Sequence, residues 1–220
     1  MSRRPGTPNA DHAATRRALA GRLAEALVAE QAAGLSERAL ARAAGVSVPT
    51  LRHYFGDRDG AVWAALSRIR EDGEPYLVQA AVPPPGADAG TSVRALLRFV
   101  LAGLEAGVGR AHVLGLGAGL DSAVLGPGYL SQLLEPTLDA TERRLAVHAA
   151  CGDLAIPDLR AAAIGLVAPL VVAWLHQRPL GGAAVRRLDL EGFTEAHADA
   201  FMRAYAPAPR VRRRSARRAS

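Results

Sequence analysis

The sequence lacks lysine and is poor in cysteine and aromatic residues. All 27 basic residues are arginine, aromatic residues make up 5% of the chain, and Cys151 is its single cysteine. One cysteine excludes a disulfide within the chain and a metal cluster held by cysteines alone. Alanine and leucine dominate the apolar residues, and this composition favours helices over strands.

Long apolar segments are also missing. The longest apolar run, residues 161–175, is interrupted by Gly165 and Pro169. It is shorter than the roughly 20 residues that a bilayer requires. No charged segment followed by an apolar one opens the chain as a secretory signal would. We therefore expect a soluble cytoplasmic protein without a membrane partner.

Positive charge is concentrated at the two ends of the chain. Residues 1–72 hold 11 arginines and 8 acidic residues, residues 73–206 hold 10 and 13, and residues 207–220 hold 6 arginines and no acid. A polyanionic partner for the N-terminal part agrees with this distribution. Charge alone fits a solvated surface with a disordered tail equally well.

Apolar periodicity predicts an all-α protein in two parts. We expect a flexible arm at 1–12, a head of short helices at 13–72, a helical body at 73–206 and a basic disordered tail at 207–220. The proline-rich segment 82–86 cannot be helical and lies just after the junction. The body shows helical patterns near 91–107, 110–118, 128–150, 157–177 and 188–205, with kinks expected at Pro136 and Pro169.

The most informative segment is residues 36–55, in which two short helices flank a tight turn. Ser36 and Ser47 are suitable N-caps, and Gly45 can adopt the left-handed conformation that ends the first helix. Leu51 and Phe55 are spaced to pack against the preceding helices. This pattern is typical of a helix-turn-helix, whose second helix enters the major groove of DNA.

The same segment resembles the tetracycline-repressor (TetR) family of regulators. The matching residues are Gly45-Val46-Ser47, Thr50-Leu51, His53-Tyr54-Phe55, Asp57-Arg58-Asp59 and Ala61-Val62, within a match over about residues 15–70. The resemblance implies a head that binds operator DNA as a dimer. It also implies a variable body that dimerises through its last two helices and holds an effector pocket.

We expect the DNA contacts to come from the second helix and its surroundings. Arg52 is predicted to read a base, because arginine paired with guanine is the commonest specific contact. The alternatives are that Tyr54 is a half-buried packing residue and that His53 is a solvated surface group. The predicted DNA-binding residues are Arg38, Ser47, Val48, Pro49, Thr50, Arg52, His53, Tyr54 and Arg58, of which Thr50, Tyr54 and Arg58 would hold phosphates.

An effector pocket is predicted in the segment 108–134, which is rich in glycine and leucine, together with the following long helix. An apolar cavity with a few polar groups is the usual plan of such a site. The alternative is that these are ordinary core residues and that the pocket lies elsewhere. The predicted lining residues are Leu116, Leu120, Asp121, Tyr129, Gln132, Trp174 and His176.

Other chemistry has little support in the sequence. The glycine-rich segment 115–119 follows no predicted strand, and the scattered histidines have no metal-ligand spacing, so we expect no catalytic residues, metal or cofactor. The sequence predicts a dimeric repressor of a palindromic operator, released by an unknown, largely apolar effector. Segments 157–177 and 188–205 would pair with their copies in the dimer. A helical enzyme and an interaction protein that no longer binds DNA are the alternatives, and repressor is not separated from activator.

Overall fold

The computed structural model describes residues 7–29 and 35–207. These residues form helices and loops without a strand, so the predicted all-α class is confirmed. Two short segments with π-type hydrogen bonding, Leu104–Val108 and Leu130–Leu134, interrupt the series, and we call them π turns; the first is kinked at Gly107, whose φ of 117° is not helical. The α-helices are α1 (Thr7–Val28), α2 (Glu37–Ala44), α3 (Val48–Phe55), α4 (Arg58–Ala81), α5 (Ala89–Gly103), α6 (Gly109–Leu120), α7 (Leu125–Tyr129), α8 (Glu135–Ala150), α9 (Leu159–Gln177), α10 (Gly182–Val185) and α11 (Leu190–Ala204).

The head consists of α1, α2, α3 and the first half of α4. Its core is built from leucines that recur at helical spacing, because residues three or four apart lie on one face of a helix. Leu51 and Phe55 are buried in this core as the sequence predicts. The other large residues buried there from these helices are Leu19, Leu23, Leu27, Leu40, Val62 and Leu66.

The start of α1 differs from the sequence-based prediction. Residues 7–12, which we expected to be a flexible arm, form the first turns of α1. Pro8 stands in the first turn, where its missing N–H is no loss, and the alanines that follow favour helix. The remainder of the predicted arm and almost all of the predicted basic tail lie outside the described residues.

Helix α4 crosses the predicted junction at residue 72 without a break and ends at Ala81. Its C-terminal end is held by Arg144, a buried side chain on α8. The Arg144 guanidinium donates hydrogen bonds to the carbonyl oxygens of Gln79 (2.9 Å), Ala80 (2.6 Å), Val82 (2.6 Å) and Ser92 (3.2 Å). One cation therefore satisfies two carbonyls in the last turn of α4 and two in the residues that follow it.

The body packs α5, α8, α9 and α11 around an apolar core. Helix α9 lies between α5, α8 and α11, while α8 also packs against α4. Pro169 lies inside α9, which continues past it as one α-helix, and Pro136 stands in the first turn of α8. The large residues of this core are Val93, Leu96, Leu97, Leu101, Leu104, Leu138, Leu145, Leu166, Val167, Leu170, Trp174 and Phe201.

Two stretches, Ala89–Leu120 and Leu159–Gln177, are long and apolar enough to cross a membrane by length and composition alone. The first is not one regular helix, because Gly107 has a φ of 117° within it. The second buries Leu166 and Leu170 in the core of the body. Core helices of a helical protein pass the same test of length and composition, so the two stretches are weak evidence for a membrane span.

Candidate nucleic-acid interface and internal cavity

Local capping fixes the geometry of α2 and α3. The Ser36 hydroxyl accepts a hydrogen bond from the Ala39 N–H at the start of α2, and the Ser47 hydroxyl accepts one from Thr50 at the start of α3. Between them Gly45 has a φ of 67°, a left-handed conformation that glycine adopts without steric cost. The chain therefore turns sharply, and α3 leaves the turn as a separate helix.

The exposed face of α3 carries most of the predicted DNA-binding residues. Leu51 and Phe55 point into the head core, which leaves the opposite face of the helix to solvent. Ser47, Pro49, Arg52 and His53 are exposed, and Val48, Thr50 and Tyr54 are half-buried at the edges of this face. Arg38 is exposed on the neighbouring helix α2, and Arg58 is half-buried at the start of α4.

Arg52 is held by Glu37, a residue that the sequence analysis missed. Its Nε and Nη2 donate to the two carboxylate oxygens of Glu37 at 3.1 and 2.7 Å. These hydrogen bonds from Arg52 keep the pKa of the Glu37 carboxyl below its ordinary value. Glu37 opens α2 and Arg52 stands in the middle of α3, so the pairing depends on how the two helices cross. No local sequence pattern announces it.

Tyr54 belongs to a small aromatic cluster with His53 and His12. The ring centroid of Tyr54 lies 4.7 Å from that of His12 and 5.0 Å from that of His53. His12 comes from the stretch predicted to be a flexible arm, and it packs on the edge of α3. Tyr54 is therefore a packing residue in this structure, and its phosphate contact stays a prediction.

Three arginines of the head bond to backbone carbonyls near helix ends. Arg22 Nε donates to the Ala44 oxygen at the end of α2 (2.7 Å), and Arg16 Nε donates to the Tyr54 oxygen near the end of α3 (3.2 Å). Arg58 Nε donates to the Leu35 oxygen (2.9 Å). Arg58 thus joins α4 to the segment that enters α2, and its phosphate contact stays a prediction.

The body contains a cavity of about 440 Å³ between α4, α5, α6, α8 and α9. Both π turns form part of its wall, since Leu104, Ala106 and Val108 come from the first and Gln132, Leu133 and Leu134 from the second. The second turn adds a residue to the helical repeat, a feature that is frequent at functional sites, whereas the first is a kink at Gly107. The remaining lining is Ile69, Arg70, Gly73, Tyr76, Leu77, Ala80, Phe99, Val100, Ala102, Gly103, His112, Thr137, Val167 and Val171.

Few polar groups face this cavity. His112 is only 7% exposed, and its Nδ1 lies 3.0 Å from the hydroxyl oxygen of Tyr129. Burial lowers the pKa of His112 to about 4 and raises the pKa of Tyr129. Both side chains are therefore neutral near pH 7. The one charged lining residue, Arg70, is paired with Glu74 one turn further along α4.

Only some of the residues predicted for the effector pocket lie at this cavity. Gln132 lines the cavity, and Tyr129 stands behind the lining histidine. Leu116 and Leu120 do not line it: Leu120, the last residue of α6, is 79% exposed. The small residues Ala111, Gly115 and Ala118 form the buried side of α6 instead. A glycine-rich helix can bury its small residues against a neighbour, which turns the leucines outwards.

The other predicted pocket residues also lie outside the lining. Asp121 is exposed at the end of α6, and His176 is exposed on α9, where its Nδ1 lies 2.7 Å from Gln177 Nε2. Trp174 is buried, and its ring fills the space beside Gly109, where an added Cβ would overlap it. Trp174 is therefore a core residue, which corrects its assignment to the effector pocket.

Three close contacts connect the head with the body beside this cavity. The Ser122 hydroxyl donates to Asp59 at the start of α4 over 2.7 Å. An added Cβ at Gly107 would lie 2.8 Å from the carbonyl oxygen of Val28 at the end of α1, so the two backbones touch. Gly128 similarly lies against the ring of Trp63 on α4. The head and the cavity wall are therefore packed directly on each other.

One side of α9 is apolar and uncovered. Ile164 and Val172 are exposed on it, opposite the buried Leu166 and Leu170. A surface groove on this side is lined by Ala168, Pro169 and Phe193 together with those two exposed residues and others. Among the described residues, no group of three or more histidine, cysteine or acidic residues is placed to hold a metal ion.

Solved structures of TetR-family transcriptional regulators share this architecture. One from Mesorhizobium loti has a TM-score of 0.66 at 19% identity, covering 89% of this chain and 98% of that one. One from Agrobacterium tumefaciens has a TM-score of 0.56 at 25% identity, covering 88% and 95%. One from a Rhodococcus species has a TM-score of 0.60 at 21% identity, covering 87% and 98%.

At the level of sequence, no family model and no curated protein matches. The likeness therefore concerns architecture: an N-terminal helix-turn-helix head on a helical body. The chain has the fold of TetR-family transcriptional regulators.

Proposed function

We propose that this protein is a transcriptional regulator that binds DNA as a homodimer and leaves its operator when a small, largely apolar molecule binds. The supporting observation is the head, in which α3 presents an exposed polar face on a scaffold shared with such regulators. Repression is the expected direction of control, because an occupied operator blocks access to the DNA beneath it. We propose no catalytic activity and a cytoplasmic location away from membranes.

In this proposal the exposed face of α3 reads the major groove. The groove is about 12 Å wide and admits one helix, whose outward side chains then meet base edges. Arg52 stands near the centre of that face and would pair with guanine, and Ser47 and Thr50 at the N-terminal end of α3 would bond phosphates. Glu37 would orient the Arg52 guanidinium, since it already accepts from two of its nitrogens.

The dimer would form through α9 and α11. One recognition helix reads only a few base pairs, which is too little for specificity in a genome. A two-fold pair of heads reads a palindrome with half-sites separated by whole helical turns. The uncovered apolar side of α9, with Ile164 and Val172 exposed, is the surface that a second copy would bury.

Release from DNA would begin in the cavity. A ligand can shift the heads only if it binds one arrangement of the body better than the other. The first π turn both lines the cavity and touches α1 through Gly107, so a change in that wall reaches the head directly. The Ser122–Asp59 contact offers a second connection, at the start of α4.

The test is operator selection from random DNA, followed by affinity measurements on the selected site and on a scrambled one. Arg52→Ala should cost about 1–3 kcal/mol on the operator and little on scrambled DNA, because it removes a base contact. Arg42→Ala is the matched control, since it removes the same charge from an exposed position on α2 and should leave the specificity ratio unchanged.

Two outcomes would contradict the proposal. If no sequence is enriched and random DNA shows no salt-dependent binding, the chain is an interaction protein rather than a DNA-binding one. If light scattering gives a monomer mass at micromolar concentration, the palindrome model fails. An equal loss on both DNAs would instead make Arg52 a phosphate contact.

A further inference from the structure

We propose that the cavity of the body selects a neutral hydrophobic molecule carrying one carbonyl or hydroxyl oxygen, and that His112 Nε2 is the group that recognises this oxygen. The inference rests on the proposed ligand response and specifies the chemistry of the ligand. It is built from the hydrogen bonding of the lining residues, the charge balance of the cavity and its size.

His112 has one ring nitrogen, Nε2, that is free to bind a ligand. Its Nδ1 is used by the Tyr129 hydroxyl, and no other described residue hydrogen bonds to its Nε2. The fully enclosed nitrogens that lack a partner are those of His148 and Trp174, and Nε2 of His112 is not one of them. His112 is 7% exposed and lines the cavity, so we infer that this atom faces the cavity space.

The described residues that line the cavity offer no free charge to a ligand. Gln132 and Thr137 are neutral, and burial lowers the pKa of His112 to about 4, so the imidazole carries no charge near pH 7. Arg70 is the one lining residue with a permanent charge, and Glu74 already neutralises it. A charged ligand would lose its hydration without gaining a free counter-charge, which is costly in an apolar site. A neutral ligand avoids this cost.

The direction of the hydrogen bond between Nε2 and the ligand depends on which nitrogen of His112 carries the proton. If the Tyr129 O–H donates to Nδ1, then Nε2 carries the proton and donates to a carbonyl or hydroxyl oxygen. If Nδ1–H donates to Tyr129, then Nε2 accepts from a hydroxyl group. In both cases the ligand presents a neutral oxygen. The difference between a ketone and an alcohol reports which arrangement the protein uses.

The volume and the apolar walls of the cavity define the rest of the ligand. The volume of about 440 Å³ lies within the usual range of small-molecule pockets. Side chains such as Leu77, Phe99, Leu104 and Val171 supply apolar walls. A compact ring or branched chain therefore buries well, and the single polar contact sets its orientation.

The experiment uses the full chain and four probes that share one ring: cyclododecanone, cyclododecanol, cyclododecanecarboxylate and cyclododecane. Binding is measured without DNA, by thermal shift and by tryptophan fluorescence. The ketone or the alcohol should bind roughly tenfold more tightly than the hydrocarbon, as expected for one hydrogen bond in a dry site. The carboxylate should bind more weakly than both.

Variants separate recognition from simple packing. His112→Leu should bind all neutral probes with similar affinity, because the hydrophobic contacts remain and the hydrogen bond is lost. His112→Gln keeps a donor and an acceptor and should restore part of the preference. Leu116→Ala, on the exposed side of the same helix, is the control and should behave as the original protein.

Several results would overturn the inference. These are tightest binding of the carboxylate, an unchanged oxygen preference in both His112 variants, or no binding of any probe to a cavity of this size. Each of these can occur while the protein still binds its operator. A failure of the inference is therefore distinguishable from a failure of the proposed function, which would appear as loss of DNA binding.

Discussion

The head and the body of this protein are built by different means. In the head, α2, α3 and α4 each begin with a side-chain cap, supplied by Ser36, Ser47 and Asp57. Around the cavity, α6, α7 and α8 begin without one, and two π turns carry the chain from helix to helix. Side-chain caps therefore mark the helices of the head, whereas in the cavity wall Asp88 and Asp158 cap α5 and α9 and the helices between residues 104 and 150 start without a cap.

Two arginines illustrate the same difference. In the head, Arg22 is an exposed residue that donates a hydrogen bond to the last carbonyl of α2. In the body, Arg144 is buried and serves four carbonyls between residues 79 and 92. One buried arginine of the body therefore satisfies several carbonyl oxygens at once, whereas the arginine of the head satisfies one.

The largest expected effect follows from that contrast. Arg144→Met keeps the volume of the side chain but leaves several buried carbonyls without a partner, and each unsatisfied group costs about 1–3 kcal/mol. We expect the free energy of unfolding to fall by more than about 3 kcal/mol, measured by urea denaturation. Arg143→Met, at an exposed neighbouring position, should change it by less than about 0.5 kcal/mol.

For Arg22→Met we expect the free energy of unfolding to fall by about 1 kcal/mol, because one bond to a carbonyl is lost. This loss lies between those of Arg144→Met and Arg143→Met. Equal losses for Arg22→Met and Arg144→Met would show that the two regions rely on bonds from arginine to carbonyl oxygens to the same extent. The comparison drawn above would then be wrong.

Acid should lower the free energy of unfolding, because unfolding allows His112 to take up a proton. The unfolded chain binds a proton on this histidine near its ordinary value of 6.5, whereas burial lowers the pKa in the folded protein to about 4. Between these two values the unfolded state holds more protons, so stability falls as the pH falls from about 6.5 to 4. The full contribution is on the order of 3 kcal/mol. Comparing His112→Gln with the original protein isolates it, and equally steep pH profiles would contradict the assignment.

A smaller effect is expected at the contact between the first π turn and α1. Gly107→Ala introduces a side chain at a φ of 117° and within 2.8 Å of the Val28 oxygen. We expect a loss of about 1–3 kcal/mol, together with altered operator affinity because α1 must shift. Gly103→Ala, in open space at the end of α5, is the control and should be neutral or slightly stabilising. Unchanged stability in Gly107→Ala would mean that the two backbones do not press on each other.

The smallest effect concerns the hydrogen bond between Ser122 and Asp59. A double-mutant cycle with Ser122→Ala and Asp59→Ala should give a coupling energy of about 1 kcal/mol, because one partner is charged but neither is deeply buried. The same cycle repeated with operator bound tests whether this contact between head and body changes on binding. If the losses of stability are additive with and without operator, the hydrogen bond between Ser122 and Asp59 does not couple the cavity to the head.

Much of the head could be predicted from sequence because its signals lie within a few residues of each other. A serine before an apolar period, a glycine after it and a second serine two residues later specify α2, the turn and α3. The same reasoning missed Glu37, because its partner Arg52 is brought close only by the crossing of two helices. It also missed His12, because the start of α1 looked like a polar arm.

The cavity was harder to predict for a physical reason. Apolar periodicity shows which face of a helix is buried, but it does not distinguish burial against a neighbour from burial around a space. On α6 the leucines seemed the natural lining, yet Gly115 and the nearby alanines pack inwards and leave Leu120 in solvent. Gln132 was predicted to line the cavity and does so, while His112 was seen only as an ordinary histidine.

The sequence by itself determined the helical class, the capped helices of the head and the outward face of α3, because caps, turns and helical periodicity are local properties. Tertiary structure alone decided that Arg52 would pair with Glu37, that Arg144 would close the end of α4, and that two π turns would open a cavity beside His112. These features join residues far apart in the chain. Their energies come from packing and desolvation, which depend on the whole fold and leave no pattern in a short stretch of sequence.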